Sequence, residues 1–152
     1  MNDCATPARL LADVRPDQPA LLEAREVSDR VVAVGFEWDS LDGVWEQLAD
    51  EVRELQEAYA TAGKDAAGRV AADDAHEVLL ELGDVLFSVV NVGRKMGLSA
   101  EDALHATCAK FRRRWELMEE LAAEAGNDVR TMGTERLEEL WQEAKRQLRA
   151  SE

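Results

Sequence analysis

Cysteine, histidine and proline are scarce in this 152-residue chain, and each scarcity excludes an architecture. The two cysteines, Cys4 and Cys108, stand far apart, one in a Pro-containing arm and one inside a helical pattern, which is no disulfide framework. A reducing cytoplasm is therefore the expected compartment. His76 and His105 are the only histidines, and neither has a second His at helical ligand spacing, so a zinc site has no support. A di-iron bundle needs two Glu-x-x-His motifs and finds none. The three prolines, Pro7, Pro16 and Pro19, all precede residue 20, which leaves the remainder free for long helices. No apolar run approaches the roughly 20 residues that span a bilayer, and the first ten residues lack a charged-then-apolar signal segment, so neither a membrane span nor export is expected. Positive charge is also in short supply: 18 Lys and Arg against 32 Asp and Glu leave a formal net charge of −14. That balance argues against a surface that tracks nucleic-acid backbone or anionic lipid.

What is present is apolar material with helical spacing. At 46% hydrophobic and 33% charged, the chain can build the core of one soluble domain. Residues 1–18 read as an irregular N-terminal arm and 19–152 as a single helical domain, with no internal repeat. Five helical segments are expected: Ala20–Val34 ending at Gly35, a second from an Asp39 or Ser40 cap to Ala62, a third over Ala71–Met96, a fourth from a Ser99/Asp102 capping box to Ala125, and a fifth from a Thr134 cap to Leu148. No alternating strand pattern interrupts them, so the fold class is all-α.

The second segment carries an apolar stripe at Leu41, Val44, Trp45, Leu48, Val52, Leu55 and Tyr59, with Glu51 and Glu54 beside it on one face. Such a pair on its own is also the ordinary pattern of a solvated helix surface. The third segment is apolar nearly all round from Val78 to Val92, which predicts burial. Its polar residues in that window, Glu81, Asp84, Ser88 and Asn91, form one narrow stripe. Carboxylates in an apolar setting cost several kcal/mol each unless a cation compensates them. If the two segments pack antiparallel, four carboxylates converge, the donor set of a hard divalent cation such as Mg²⁺.

Basic residues cluster at Lys110, Arg112, Arg113 and Arg114, where Lys110 and Arg114 share a helix face and suit phosphate oxygens. Pairing with neighbouring acids is the alternative for all four, and has most weight for Arg112 and Arg113. Trp141 and Lys145 repeat the spacing on the last segment and could flank a base or a phosphate, although a lone Trp is more often core. Trp38, Trp45, Trp115 and Cys108 read first as packing residues.

Five blocks in order carry a family resemblance: Val34-Gly35-Phe36-Glu37-Trp38, Asp50-Glu51-x-x-Glu54, Glu81-Leu-Gly-Asp84-Val-Leu-Phe87 with Asn91, Lys110-Phe-Arg-Arg-Arg114, and Leu140-Trp141-x-x-Ala144-Lys145. Together they resemble the C-terminal domain of MazG nucleoside triphosphate pyrophosphohydrolases over about residues 10–147, the arm resembling the linker between that family's two domains. The resemblance implies a helical bundle whose four-helix catalytic core is completed in a homodimer or higher homo-oligomer. It implies Mg²⁺-dependent hydrolysis of (d)NTPs to monophosphate and pyrophosphate, with Mn²⁺ as an alternative cofactor. By motif position Glu51, Glu54, Glu81 and Asp84 are the catalytic metal ligands, and Asn91, Lys110, Arg114, Trp141 and Lys145 line the nucleotide. Gln47 and Glu77 depart from positions that are often Lys in the family, which leaves selectivity for one noncanonical or pyrimidine nucleotide as a narrower reading. A catalytically silent dimerisation module is the rival outside enzymology.

Overall fold

A computed structural model describes residues 9–150. Residues 1–8, with Cys4 and Pro7, lie outside the described part. The helices are α1 (Ala20–Ala33), α2 (Leu41–Thr61), α3 (Ala75–Lys95), α4 (Ala100–Glu124) and α5 (Thr134–Ala150), with a short 3₁₀ turn at Val129–Thr131. Among the described residues the sole extended pairing is an isolated bridge between Lys64 and Val70, so the all-α class holds. The chain divides into two compact units at Glu101/Asp102.

In the first unit, α2 and α3 form an antiparallel hairpin with α1 packed on α3. The loop end is closed where Asp74 accepts a hydrogen bond from the Gly63 N–H at 2.7 Å, and the open end where Lys95 donates to the Trp38 carbonyl at 2.7 Å. The expected start of the third helix at Ala71 moves to Ala75 because residues 71–74 serve this loop: the Ala71 N–H donates to the Gly63 carbonyl and Asp74 turns its carboxylate back. Ser40, one of two candidate caps, accepts from the Gly43 N–H and starts α2. Gly35, at φ +94°, lets the chain leave α1 in a left-handed turn that an L side chain resists. Residues 9–18 contain turns and no helix; Arg30 of α1 ties them down through Asp13, and Gln18 donates to Glu26.

The expectation that α3 is buried all round is overturned. Of its polar stripe, Ser88 and Asn91 are buried, Glu81 is half-buried and Asp84 is exposed, and Asn91 accepts from Ser28 of α1 at 2.5 Å. Leu79, Leu82, Leu86 and Val89 are exposed, Leu79 by 63% and Leu86 by 49%. The reason is that α1 and α2 cover the face of Glu81, Val85, Ser88 and Val92, and near the C-terminal end also Val90 and Asn91, but leave the side of Leu79, Leu82, Leu86 and Val89 open. The exposed residues each follow a member of the covered face by one position, a rotation of 100°. On α2 the exposed Trp45, Val52 and Tyr59 likewise follow Val44, Glu51 and Ala58. Equal offsets of one sense on antiparallel helices fall on the same side of the pair, so the hairpin carries one continuous uncovered apolar flank.

One ion pair pins the connector between α1 and α2. Arg94, nearly buried on α3, grips Glu37 with two hydrogen bonds of 2.7 and 2.8 Å, and Lys95 stands 3.6 Å away. Chiefly the Arg94 hydrogen bond holds the Glu37 carboxyl down to about 2 from an ordinary 4.5. A depressed carboxyl contributes stability that is complete above about pH 4.5 and lost as pH falls toward 2. The shift corresponds to about 3 kcal/mol. Arg94→Ala should lose the larger part of that amount at pH 7 in urea unfolding, since the Trp38 N–H and Lys95 supply the rest, and the gap between wild type and variant should shrink at pH 3; a gap independent of pH would contradict the assignment.

The second unit packs α5 on the C-terminal half of α4 through Met118, Ala122, Val129, Leu140 and Ala144. Cys108 precedes that half, and where the sequence predicted a small core residue the structure has an exposed free thiol. Thr134 is the first residue of α5 rather than its cap; the Gly133 carbonyl takes the first helical hydrogen bond, from Leu137.

Candidate functional site

Glu51 on α2 and Glu81 and Asp84 on α3 meet across the hairpin, each offering an oxygen within 4.8 Å of the other two. The i, i+3 spacing puts Glu81 and Asp84 on one face, and the antiparallel pairing brings Glu51 opposite. Burial pushes the Glu81 carboxyl above its ordinary range, and the negative charges of Glu54, Asp84, Glu51 and Glu77 add to that. Glu54, the expected fourth member, therefore acts on Glu81 electrostatically, but its carboxylate stands outside the tight group, 3.8 Å from Arg53. Glu81 is half-buried and Asp84 exposed, so the buried-charge penalty that the sequence suggested is smaller than expected.

The donor chemistry fits a hard divalent cation. Opposite oxygens in a Mg²⁺ shell stand about 4 Å apart, so small side-chain rotations bring all three oxygens of this group into one shell. Among the described residues no Lys or Arg makes an ion pair with Glu51, Glu81 or Asp84, although Arg53 stands 3.8 Å from Glu54. Gln47, where relatives of the resembled family often have Lys, donates its amide to Glu51 at 2.5 Å. Glu77 adds negative charge instead of removing it.

Asn91 is 1% exposed, and its amide is engaged inside the first unit: the carbonyl oxygen accepts from Ser28 and Arg94, and the NH₂ donates to the Phe87 carbonyl. Here it braces α1, α3 and Arg94.

The remaining expected nucleotide residues lie in the second unit. Lys110 and Arg114 of α4 and Lys145 of α5 line one cleft of about 350 Å³. Arg113 and Arg149 line it too, and none of the five makes an ion pair with a carboxylate among the described residues. Arg113 therefore has no carboxylate partner among the described residues. Arg149 was missed, although its place one turn beyond Lys145 was visible. Trp141 sits behind this cleft: the Arg114 guanidinium lies 5.3 Å over its ring, Phe111 is 4.8 Å away, and its side chain packs on the unit's core. The structure also adds the Glu37–Arg94–Lys95 clamp, for which the only signal was two cations at the end of a helix.

Residues 40–119 match the family model described as the MazG nucleotide pyrophosphohydrolase domain. The chain is 34% identical over 135 residues to the nucleoside triphosphate pyrophosphohydrolase/pyrophosphatase MazG of Thermotoga maritima, covering 89% of this chain and 48% of that protein. It is likewise 34% identical over 137 residues to the nucleoside triphosphate pyrophosphohydrolase of Escherichia coli K12, covering 90% and 49%. A Bacillus subtilis protein named uncharacterized protein YabN shares 43% identity over 76 residues, half of this chain and 16% of its own length. The chain spans about half the length of the first two relatives.

Proposed function

This chain belongs to the MazG nucleotide pyrophosphohydrolase family, and from that premise we propose that it hydrolyses (d)NTPs to the monophosphate and pyrophosphate with Mg²⁺, or Mn²⁺, as cofactor. The observation that carries the proposal is the convergence of Glu51, Glu81 and Asp84 within 4.8 Å. These residues, with Glu54 beside them, hold the cation. A bound divalent cation supplies charge neutralisation for the triphosphate and a lowered pKa for water. The chain's own residues do the rest. One carboxylate of the set takes the proton of the water that attacks the α-phosphorus, while the bond to the pyrophosphate oxygen breaks. In the second unit, taken by itself, Lys110, Arg114 and Lys145 line one cleft whose cations suit phosphate oxygens, with the Arg114 guanidinium 5.3 Å over the Trp141 ring.

The working form we propose is a homodimer, with the apolar flank of α2 and α3 covered by the same flank of a second copy. Leu79, Leu82, Leu86 and Val89 repeat at intervals of three, four and three, the spacing of a helix–helix seam, and two hairpins joined there make a four-helix bundle. The compartment we propose is the cytoplasm; no described helix is long and apolar enough to cross a membrane.

Incubation of the purified protein with each NTP and dNTP plus Mg²⁺ should yield monophosphate and pyrophosphate. No product across the panel would remove the enzymatic reading and favour a silent dimerisation module. A narrower reading, one noncanonical or pyrimidine nucleotide, is favoured by Gln47 and Glu77, which leave the carboxylate group without the lysines common in the family; a single dominant kcat/KM in the same panel would establish it.

A further inference from the structure

The connector between α1 and α2 encloses a pocket of about 260 Å³ lined by Phe36, Glu37, Trp38 and Gln47. This pocket lies wholly in the first unit and is adjacent to the carboxylate group, because Gln47 lines it and also donates to Glu51 at 2.5 Å. We propose that this pocket seats the nucleobase of the nucleotide, with Phe36 and Trp38 as its aromatic walls and Gln47 as the polar group that meets its edge. The inference rests on the nucleotide reading given above.

Four observations support it. The pocket is smaller than the roughly 300–1,000 Å³ of sites that enclose whole drug-sized ligands, so it suits a ring system whose phosphates lie outside. Phe36 is 74% exposed, an apolar ring left in solvent at the mouth of a pocket. Trp38 is anchored through its main chain, whose N–H donates to Glu37 at 2.9 Å and whose carbonyl accepts from Lys95 at 2.7 Å, and its indole lies beside Gly43 in the first turn of α2. A wall held this rigidly loses little freedom when a base stacks on it. Finally, the Gln47 amide must turn its NH₂ toward the Glu51 carboxylate, which only accepts. Its carbonyl oxygen is thereby aimed away, makes no hydrogen bond among the described residues, and is available to a base N–H or a sugar hydroxyl.

Glu37 does not read the base. Both its oxygens are engaged by Arg94, and one also accepts from Trp38, so its part is to hold the wall in place. Trp141, the other candidate platform, has its ring occupied by Arg114 and Phe111.

The test is equilibrium binding, in Mg²⁺, of the α,β-methylene analogues of dATP and dCTP, which resist cleavage at the scissile bond, alongside inorganic tripolyphosphate, which has no base. Stacking on an aromatic side chain is worth enough that its removal should weaken binding about 10- to 100-fold. Phe36→Ala, at an exposed position that folding does not need, and Trp38→Leu should each weaken the dNTP analogues by that factor and change tripolyphosphate affinity by less than about twofold. Equal losses for all three ligands, or no loss for the analogues, would overturn the pocket assignment while leaving hydrolysis untouched. Wild-type protein that binds the analogues with this dependence on Phe36 but cleaves no NTP would keep the pocket and remove the enzymatic reading. Wild-type protein that binds none of the ligands would remove both.

Discussion

Replacing Glu81 with Gln is expected to lower kcat/KM for (d)NTP hydrolysis by at least about 10³-fold, a loss of about 4 kcal/mol of transition-state stabilisation. Glu81 is the carboxylate on which the other charges of the group converge: Glu54, Asp84, Glu51 and Glu77 all raise its pKa, after burial. A carboxyl raised in the folded state opposes folding increasingly as pH climbs from its ordinary value of 4.5 to the raised one, and fully above that, since the unfolded chain carries the charge more easily. At neutral pH in EDTA, Glu81→Gln should therefore melt at or above the wild-type temperature. Lost activity with retained or increased stability distinguishes a residue kept for a cation from one kept for packing. The comparison residue is Glu46, an exposed member of α2 that lies outside the carboxylate group, whose Gln variant should match wild type in both measurements. A Glu81→Gln enzyme with wild-type turnover would exclude the proposed metal role.

The second large effect is expected at the apolar flank. Leu79→Glu with Leu86→Glu should convert the proposed dimer into a monomer, raising the dissociation constant by three orders of magnitude or more. A fully covered leucine contributes about 1.5–3 kcal/mol, and an unpaired carboxylate in its place costs several kcal/mol more. Both positions are exposed in the single chain, so helical content by circular dichroism should change little. Sedimentation equilibrium at micromolar concentration should give twice the 16.9 kDa chain mass for wild type and the chain mass for the variant. A monomeric wild type would leave the leucine stripe without its proposed partner, and a variant that stays dimeric would place the interface elsewhere.

Much of this was legible in the sequence because it is local. The i, i+3 pairs Glu51/Glu54 and Glu81/Asp84, the Ser40 cap and the glycine at the end of α1 follow from helical geometry and short-range hydrogen bonding, which need no distant partner. The shared face of Lys110 and Arg114 and the recurrence of Lys145 one turn after Trp141 are of the same kind. Which side of a helix is covered is not local. The run from Val78 to Val92 has the composition of a buried helix, yet Leu79, Leu82 and Leu86 stand exposed because α1 and α2 leave that side of α3 open within the first unit. Cys108 went wrong for the same reason, lying on the part of α4 that the second unit's core does not use.

Composition and spacing by themselves determined an all-α chain, its helices to within a few residues, and the acidic pairs able to serve a divalent cation. Tertiary structure alone decided that Glu51, Glu81 and Asp84 form the tight group while Glu54 stands off beside Arg53. It alone decided that Asn91 is enclosed, that Arg149 joins the basic cleft, and that Glu37 and Arg94 lock the connector against α3. Those outcomes depend on distances between residues far apart in sequence, set by how the helices pack, and a periodic pattern along one helix carries no record of which neighbour will cover it.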